Sequence, residues 1–148
     1  LMVILGAPVD DPDQEEHAIQ AAIEMQQEVH RLSRKWALAG RSEIRIGIGI
    51  NSGHAIVGNI GSNRRLEFTA IGDTVNLASR LESATKELAA DILISEYTHD
   101  AVRGSFATRR HGEIHVKGRT EPVVTYSVEF APDADAESDV REPELVLA

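Results

Sequence analysis

Three stretches of this sequence predict an α+β fold, with helices packed on a largely antiparallel sheet. Residues 14–38 place Ile19, Ala22, Met25, Val29, Leu32 and Trp36 at steps of three and four, the period of an amphipathic helix. Residues 44–51 alternate Ile44, Ile46, Ile48 and Ile50 with Arg45, Gly47, Gly49 and Asn51, the period of a strand with one crowded and one nearly bare face. The stretch "FATRRHGEIHVKGRTEPVVTYSVEF" reads as two strands joined through "KGRTEP".

Taken in order, "LMVILGAP" reads as an opening strand. It lacks a basic leader and is too short for a secretory h-region or a membrane span. The turn "GAPVDDPDQ" follows, and Pro12 with its acidic neighbours suits the start of the helix over 14–38, which Gly40 ends. The periodic apolar residues of that helix are expected to form a core stripe. After the isoleucine strand, "NSGH" turns the chain, and "AIVGNIG" is expected to pair with that strand as an antiparallel hairpin. The glycines suggest that something approaches the backbone closely. A polar loop "SNRRLE", a short strand "FTAIG", a helix from Asp73 to about Leu88, a buried strand "ILIS" and a short helix over 96–103 complete the reading.

Composition narrows the function classes. Acidic residues outnumber basic ones 24 to 15, and no Lys/Arg-rich block occurs, which argues against a nucleic-acid partner. The absence of cysteine excludes disulfides, zinc–thiolate sites and thiol nucleophiles, and suits a cytoplasmic location. One domain over residues 1–130 is expected, followed by an acidic, Ala- and Pro-rich tail over 131–148 without period, expected to be disordered.

The usual phosphate loops are missing. "GIGINSG" is one residue too long for the dinucleotide fingerprint, and no GxxxxGK[ST] occurs. His111 and His115 are four apart, yet "HGEIH" is strand-like and would not align the rings on one metal. In "GDTVNLASRLE", Asp73 or Thr74 can cap the helix. Leu77, Ala78, Leu81, Ala84 and Leu88 gather on one arc, and Asn76, Arg80, Ser83 and Glu87 on the other. Asn76 and Arg80 lie one turn apart, roughly 6 Å along the axis, so both can touch one ligand or partner. Periodicity alone favours a solvated polar face.

"FTAIGDTVNLASRLE" is very similar to the signature of class III nucleotidyl cyclases. "LMVILGAP" resembles the strand after that family's second metal-binding aspartate, "RIGIGINSGHAIVGNIGS" its central hairpin, and "VKGRTEPVVTYSV" its C-terminal phosphate-lysine segment. The resemblance covers residues 1 to about 130 in order. It implies a ferredoxin-like, palm-type fold with the first strand and helices absent. It also implies conversion of a purine nucleoside triphosphate, ATP ahead of GTP, into the 3′,5′-cyclic monophosphate and pyrophosphate at a dimer interface, for intracellular signalling. On this resemblance Asn76 orients the ribose and Arg80 stabilises charge on the α-phosphate. Lys117 faces the terminal phosphates, and Arg65, or its neighbour Arg64, reaches the β- and γ-phosphates from the opposite subunit. Thr69 stands where many members carry the aspartate that reads the adenine amino group, and a threonine there resembles the class IIIb subgroup, which includes bicarbonate-responsive adenylyl cyclases. A hydroxyl can accept from that amino group, though less exclusively than a carboxylate.

The family's two metal-binding aspartates, which hold two Mg or Mn ions, correspond to positions before Leu1, and Asp10, Asp11 and Asp13 do not match them. The resemblance therefore implies a chain that holds no metal and is inactive alone, with a homodimer or a complementing cyclase domain as partner. A cyclase-like module that binds nucleotide or dimerises without catalysis is the alternative. An unpaired sheet edge left by the absent first strand is expected to favour unusual association.

Overall fold

The computed structural model describes residues 1–62, 65–115 and 122–131, without the side chains of 62, 65 and 66. Helix α1 spans Gln14–Leu38, strand β1 Ile48–Ile50, β2 Ile56–Ser62, β3 Arg65–Ile71 and helix α2 Asp73–Leu88. Strand β4 spans Ile92–Ser95, helix α3 Glu96–Ala101, β5 Thr108–Ile114 and β6 Val123–Val128. The expected tail lies outside the described residues apart from Ala131, as does the 116–121 connection.

Four strands form one sheet in the order β1-β4-β6-β5, in which only β1 and β4 run parallel, and β2 with β3 forms a separate antiparallel ribbon. Strand β4 is buried on both faces, as its unbroken "ILIS" requires. Its side chains alternate between two cores. Ile92 and Ile94 meet Ile19 and Ala22 of α1, and Leu93 meets Leu77 and Leu81 of α2 together with Val123 of β6. The two long helices thus cover opposite faces of one sheet.

The isoleucine–glycine alternation now has a cause. Ile48 and Ile50 pack toward α1, while the bare face of the strand lies under the backbone of α2. A Cβ placed on Gly49 would fall 2.3 Å from both the Ala78 carbonyl oxygen and the Glu82 nitrogen, and one on Gly47 would fall 2.0 Å from the Thr85 hydroxyl. No side chain fits between strand and helix at Gly49, so the helix itself is what approaches the glycines. Thr85, outside the predicted apolar arc, is buried for the same reason.

Several expectations are corrected. The predicted β1–β2 hairpin does not form: β1 pairs parallel with β4, and β2 pairs with β3 from Ile56↔Ile71 to Ser62↔Arg65. The shorter connection closes at lower entropic cost, and the strands extend through most of the predicted "SNRRLE" loop. Residues 1–5 form no strand, because an apolar run becomes one only where a neighbour completes its ladder, and none does among the described residues. The face α1 turns to the sheet holds Ile19, Ala22, Gln26 and Ser33, whereas Met25, Leu32 and Trp36 remain 37–39% exposed. An apolar stripe wider than its contact leaves one flank uncovered. Gln26 is 1% exposed and polar without penalty, since its Nε2 donates to the carbonyls of Ile46 (3.0 Å) and Asp91 (2.9 Å). Ser33 Oγ likewise accepts from the Ile44 N–H at 2.9 Å.

At the start of α1, His17 Nδ1 lies 2.8 Å from Asp11 Oδ2. That hydrogen bond holds the Asp11 carboxyl below its ordinary value of 3.8 and lifts the His17 imidazole above 6.5. The pair's contribution to stability is therefore present between these limits. It is lost as pH falls through the depressed Asp11 value or rises through the elevated His17 value.

Two outcomes are expected. Gly49→Ala should cost about 1–3 kcal/mol or more in urea unfolding, because the helix must lift off the strand, whereas Gly58→Ala, with nothing within 4 Å of its added Cβ, should be nearly neutral. Equal effects would contradict the seating of α2 on β1. In an NMR titration His17 should show a midpoint above 6.5 that returns toward it in Asp11→Asn.

Candidate functional site

The site is built around the junction of β3 and α2. Gly72 is the single residue between them, and its φ of 138° suits glycine alone, so the chain passes from strand to helix without a loop. Neither predicted cap acts as one: Asp73 is the first helical residue, no side chain caps the terminus, and the Thr74 hydroxyl donates instead to the His54 carbonyl at 2.7 Å. This contact ties α2 to the loop that follows β1.

Seating Leu77, Leu81 and Thr85 against the sheet turns Asn76, Arg80, Ser83 and Glu87 outward, and all four are exposed. Ser83 bonds back to the Ser79 carbonyl at 3.0 Å. The side chains of Asn76 and Arg80 differ, because among the described residues neither has a hydrogen-bond or ion-pair partner. Some charged groups elsewhere are committed internally. Arg31 holds Glu28, and Arg103 Nη2 lies 2.6 Å from Asp100 Oδ1, so that both carboxyls sit below their ordinary range.

Thr69 is half-buried in β3, directly opposite Gly58 of β2. Cross-strand partners share a face, and a Cβ on Gly58 would meet nothing within 4 Å, so the space beside the Thr69 side chain is open. Ile71 and Ile56, paired next along the ribbon on that face, are 47% and 69% exposed. The arrangement offers a hydroxyl without a hydrogen-bond partner among the described residues, beside an apolar ledge, followed by an amide in the first turn of α2 and a guanidinium one turn further on. Such a set can bind a ring, a polyol and an anion.

Of the other predicted residues, Arg65 begins β3 opposite Ser62, with its side chain outside the description. Lys117 and Arg64 lie outside the described residues altogether. His111 Nε2 lies 2.9 Å from Ser127 Oγ, within a bulged stretch of β5. No group of three His, Cys, Asp or Glu residues able to hold a metal ion occurs among the described residues. Asp11, the most engaged of the early acids, holds His17 and the Asp13 N–H. The donor set for two divalent ions is thus not formed by the described residues.

Sequence reasoning missed Asn51, Ser95 and Thr98, which form a polar cluster where β1 and β4 end side by side. The signal was available for Asn51, since it continues the row Arg45, Gly47, Gly49 and so faces α2.

The family model for the adenylate and guanylate cyclase catalytic domain matches residues 1–129. Adenylate cyclase 1 of Rhizobium meliloti (strain 1021) is 34% identical over 123 residues, which are 83% of this chain and 18% of that protein. Among solved structures, the adenylyl cyclase CyaB from P. aeruginosa aligns with a TM-score of 0.75 and 34% identity, over 84% of this chain and 64% of that one. The guanylyl cyclase Cya2 aligns with a TM-score of 0.71 and 33% identity, over 83% and 61%. The chain spans 18%, 5% and 24% of three curated relatives, so it corresponds to a part of each.

Because the Asn76 and Arg80 side chains have no hydrogen-bond or ion-pair partner among the described residues, Asn76→Ala and Arg80→Ala should each change stability by no more than about 0.5 kcal/mol. Leu77→Ala, one residue away and fully buried, should cost about 2–5 kcal/mol. Thermal unfolding of the three variants measures the contrast, and comparable losses would show that the polar face is structural.

Proposed function

This chain belongs to the family of adenylate and guanylate cyclase catalytic domains, and we propose that it contributes the ribose- and phosphate-facing half of an adenylate cyclase site completed by a second cyclase domain. The observation that carries this reading is the Asn76/Arg80 pair, with exposed side chains unpartnered among the described residues, on a helix whose other face buries Leu77, Leu81 and Thr85.

In the proposed reaction the ribose 3′-oxygen forms a bond to the α-phosphorus as the bond to the bridging oxygen of the β-phosphate breaks. The 3′-hydroxyl proton is lost and pyrophosphate leaves, giving cyclic AMP. The Asn76 amide, with both donors and an acceptor, holds the ribose so that the 3′-oxygen stands in line. The Arg80 guanidinium meets the charge that grows on the α-phosphate oxygens, where a fixed cation favours the transition state over the bound nucleotide. Thr69 accepts from the adenine 6-amino group, with the base lying against the open face beside Gly58. Lys117 supplies charge toward the terminal phosphates of the same nucleotide, whereas Arg65 reaches across the interface toward the β- and γ-phosphates at the partner domain's site. Residues outside the described set provide the metal-binding carboxylates, and the exposed Ile56, Phe68 and Ile71 of the β2–β3 ribbon suit a protein partner.

The test is complementation. The chain alone should form no cyclic AMP from MgATP or MnATP. Mixed with a cyclase domain that carries the carboxylates but lacks its own Asn/Arg pair, it should restore activity, more with ATP than with GTP. Arg80→Ala in this chain should lower the restored rate about 100- to 1,000-fold. Robust turnover by the chain alone, or full rescue by the Arg80→Ala variant, would overturn the proposal.

A further inference from the structure

In the polar cluster between the ends of β1 and β4, the bonds that run through Asn51 have a defined hydrogen-bond polarity. Ser95, the N-cap of α3, accepts the Thr98 N–H on its hydroxyl oxygen at 3.4 Å and donates to Asn51 Oδ1 at 2.6 Å. With its oxygen occupied as an acceptor, the Asn51 amide can turn only its Nδ2 toward α2, where it donates to the Thr74 carbonyl at 3.0 Å. Ser52 extends the cluster through a 3.0 Å contact between its hydroxyl and that of Thr98. Ser95 and Thr98 are fully buried, so the anchor is fixed to the sheet.

The same loop grips α2 a second time, through the Thr74 hydroxyl on the His54 carbonyl at 2.7 Å. Gly53 allows this closeness: a Cβ there would lie 2.9 Å from the Thr74 hydroxyl oxygen. These contacts fall on the first turn of α2, where support within the helix is weakest. No side chain caps that end, and the Val75 and Asn76 N–H groups reach the Gly72 carbonyl at 3.2 and 3.3 Å.

We propose that Asn51 is a positioning residue for the nucleotide site, fixing the first turn of α2, and with it Asn76 and Arg80, relative to the sheet through Ser95. The proposal rests on the cyclase reading for its catalytic consequence but not for its structural one. Asn51 touches no reacting atom. Its amide converts the rigidity of β4 into the orientation of a turn that would otherwise fray, and a shift of about 1 Å at that turn is enough to misplace a reacting group.

Asn51→Asp isolates the donor, because an ionised carboxylate keeps the acceptor for Ser95 and faces the Thr74 carbonyl with a second acceptor. In the purified chain, amide hydrogen exchange followed by NMR should show protection at Val75, Asn76 and Leu77 falling at least tenfold, with α1 and β4 unchanged. As pH drops and the new carboxyl protonates, it regains a donor and the protection should return, measured against the unsubstituted chain at each pH. Thr74→Val, which removes the second grip and nearly keeps its shape, should loosen the same turn. In the complementation assay Asn51→Asp should lower kcat at least tenfold with KM for ATP within about threefold, while Asn76→Ala affects activity without changing exchange. Unchanged protection in both Asn51→Asp and Thr74→Val, or loss spread equally over α1 and β4, would overturn the proposal. An inactive wild-type mixture with the expected exchange pattern would instead refute the cyclase reading and leave the positioning role supported.

Discussion

Everything about the candidate site depends on how closely α2 lies on β1. The helix backbone rests on the glycine face of the strand, with the Ala78 carbonyl and the Glu82 N–H where a Gly49 side chain would otherwise be. That contact sets the roll of the helix. With Leu77 and Leu81 buried against Leu93 and Val123, residues 76 and 80 have no orientation available except outward. Height is set by the two glycines, roll by the leucines, and the starting point by Gly72 and the loop at 51–54. The polar face is a consequence of these constraints, and its chemistry can vary without disturbing them.

Polar groups in this chain divide by whether the fold uses them. Gln26, Ser33, Asn51 and Ser95 are used: each satisfies backbone or side-chain partners in the interior, and no buried side-chain polar atom among the described residues lacks a partner. Such groups are expensive to disturb, since loss of one partner leaves the other desolvated. Asn76, Arg80 and Thr69 are not used by the described fold. On the proposed reading that division has a direction, because a phosphoryl-transfer site needs donors and cations held in place and left uncommitted until the nucleotide arrives.

What could be read from sequence followed from periodicity, and what could not depended on partners distant along the chain. The helix over 14–38 and the strand at 92–95 agree with the structure at both ends, because their patterns are long or unbroken. The two faces of α2 were legible at the level of single residues, apart from Thr85, whose burial reflects its contact with Gly47. The alternation at Ile44–Asn51 announced a bare face but not that a helix would fill it, nor that the strand would pair in parallel with β4. Strand pattern records which side is apolar and is silent about the neighbour. Gln26 and Asn51 were missed for a related reason: a buried amide looks like a surface one until the carbonyls it bonds to are in place. The exposure of Met25, Leu32 and Trp36 likewise reflects the width of the helix–sheet contact, which no local pattern specifies.

The central claim is that the outward face of α2 meets the nucleotide. It is tested most directly by following the ¹⁵N-labelled chain, bound to an unlabelled complementing cyclase domain, as a non-reactive ATP analogue with Mg is added. The account predicts that the Asn76 side-chain amide, the Arg80 Nε–H and the Thr69 backbone amide shift together with one saturation curve, while the Trp36 indole on the far side of the sheet does not move. Saturable binding that leaves the Asn76 and Arg80 side-chain signals in place would contradict it.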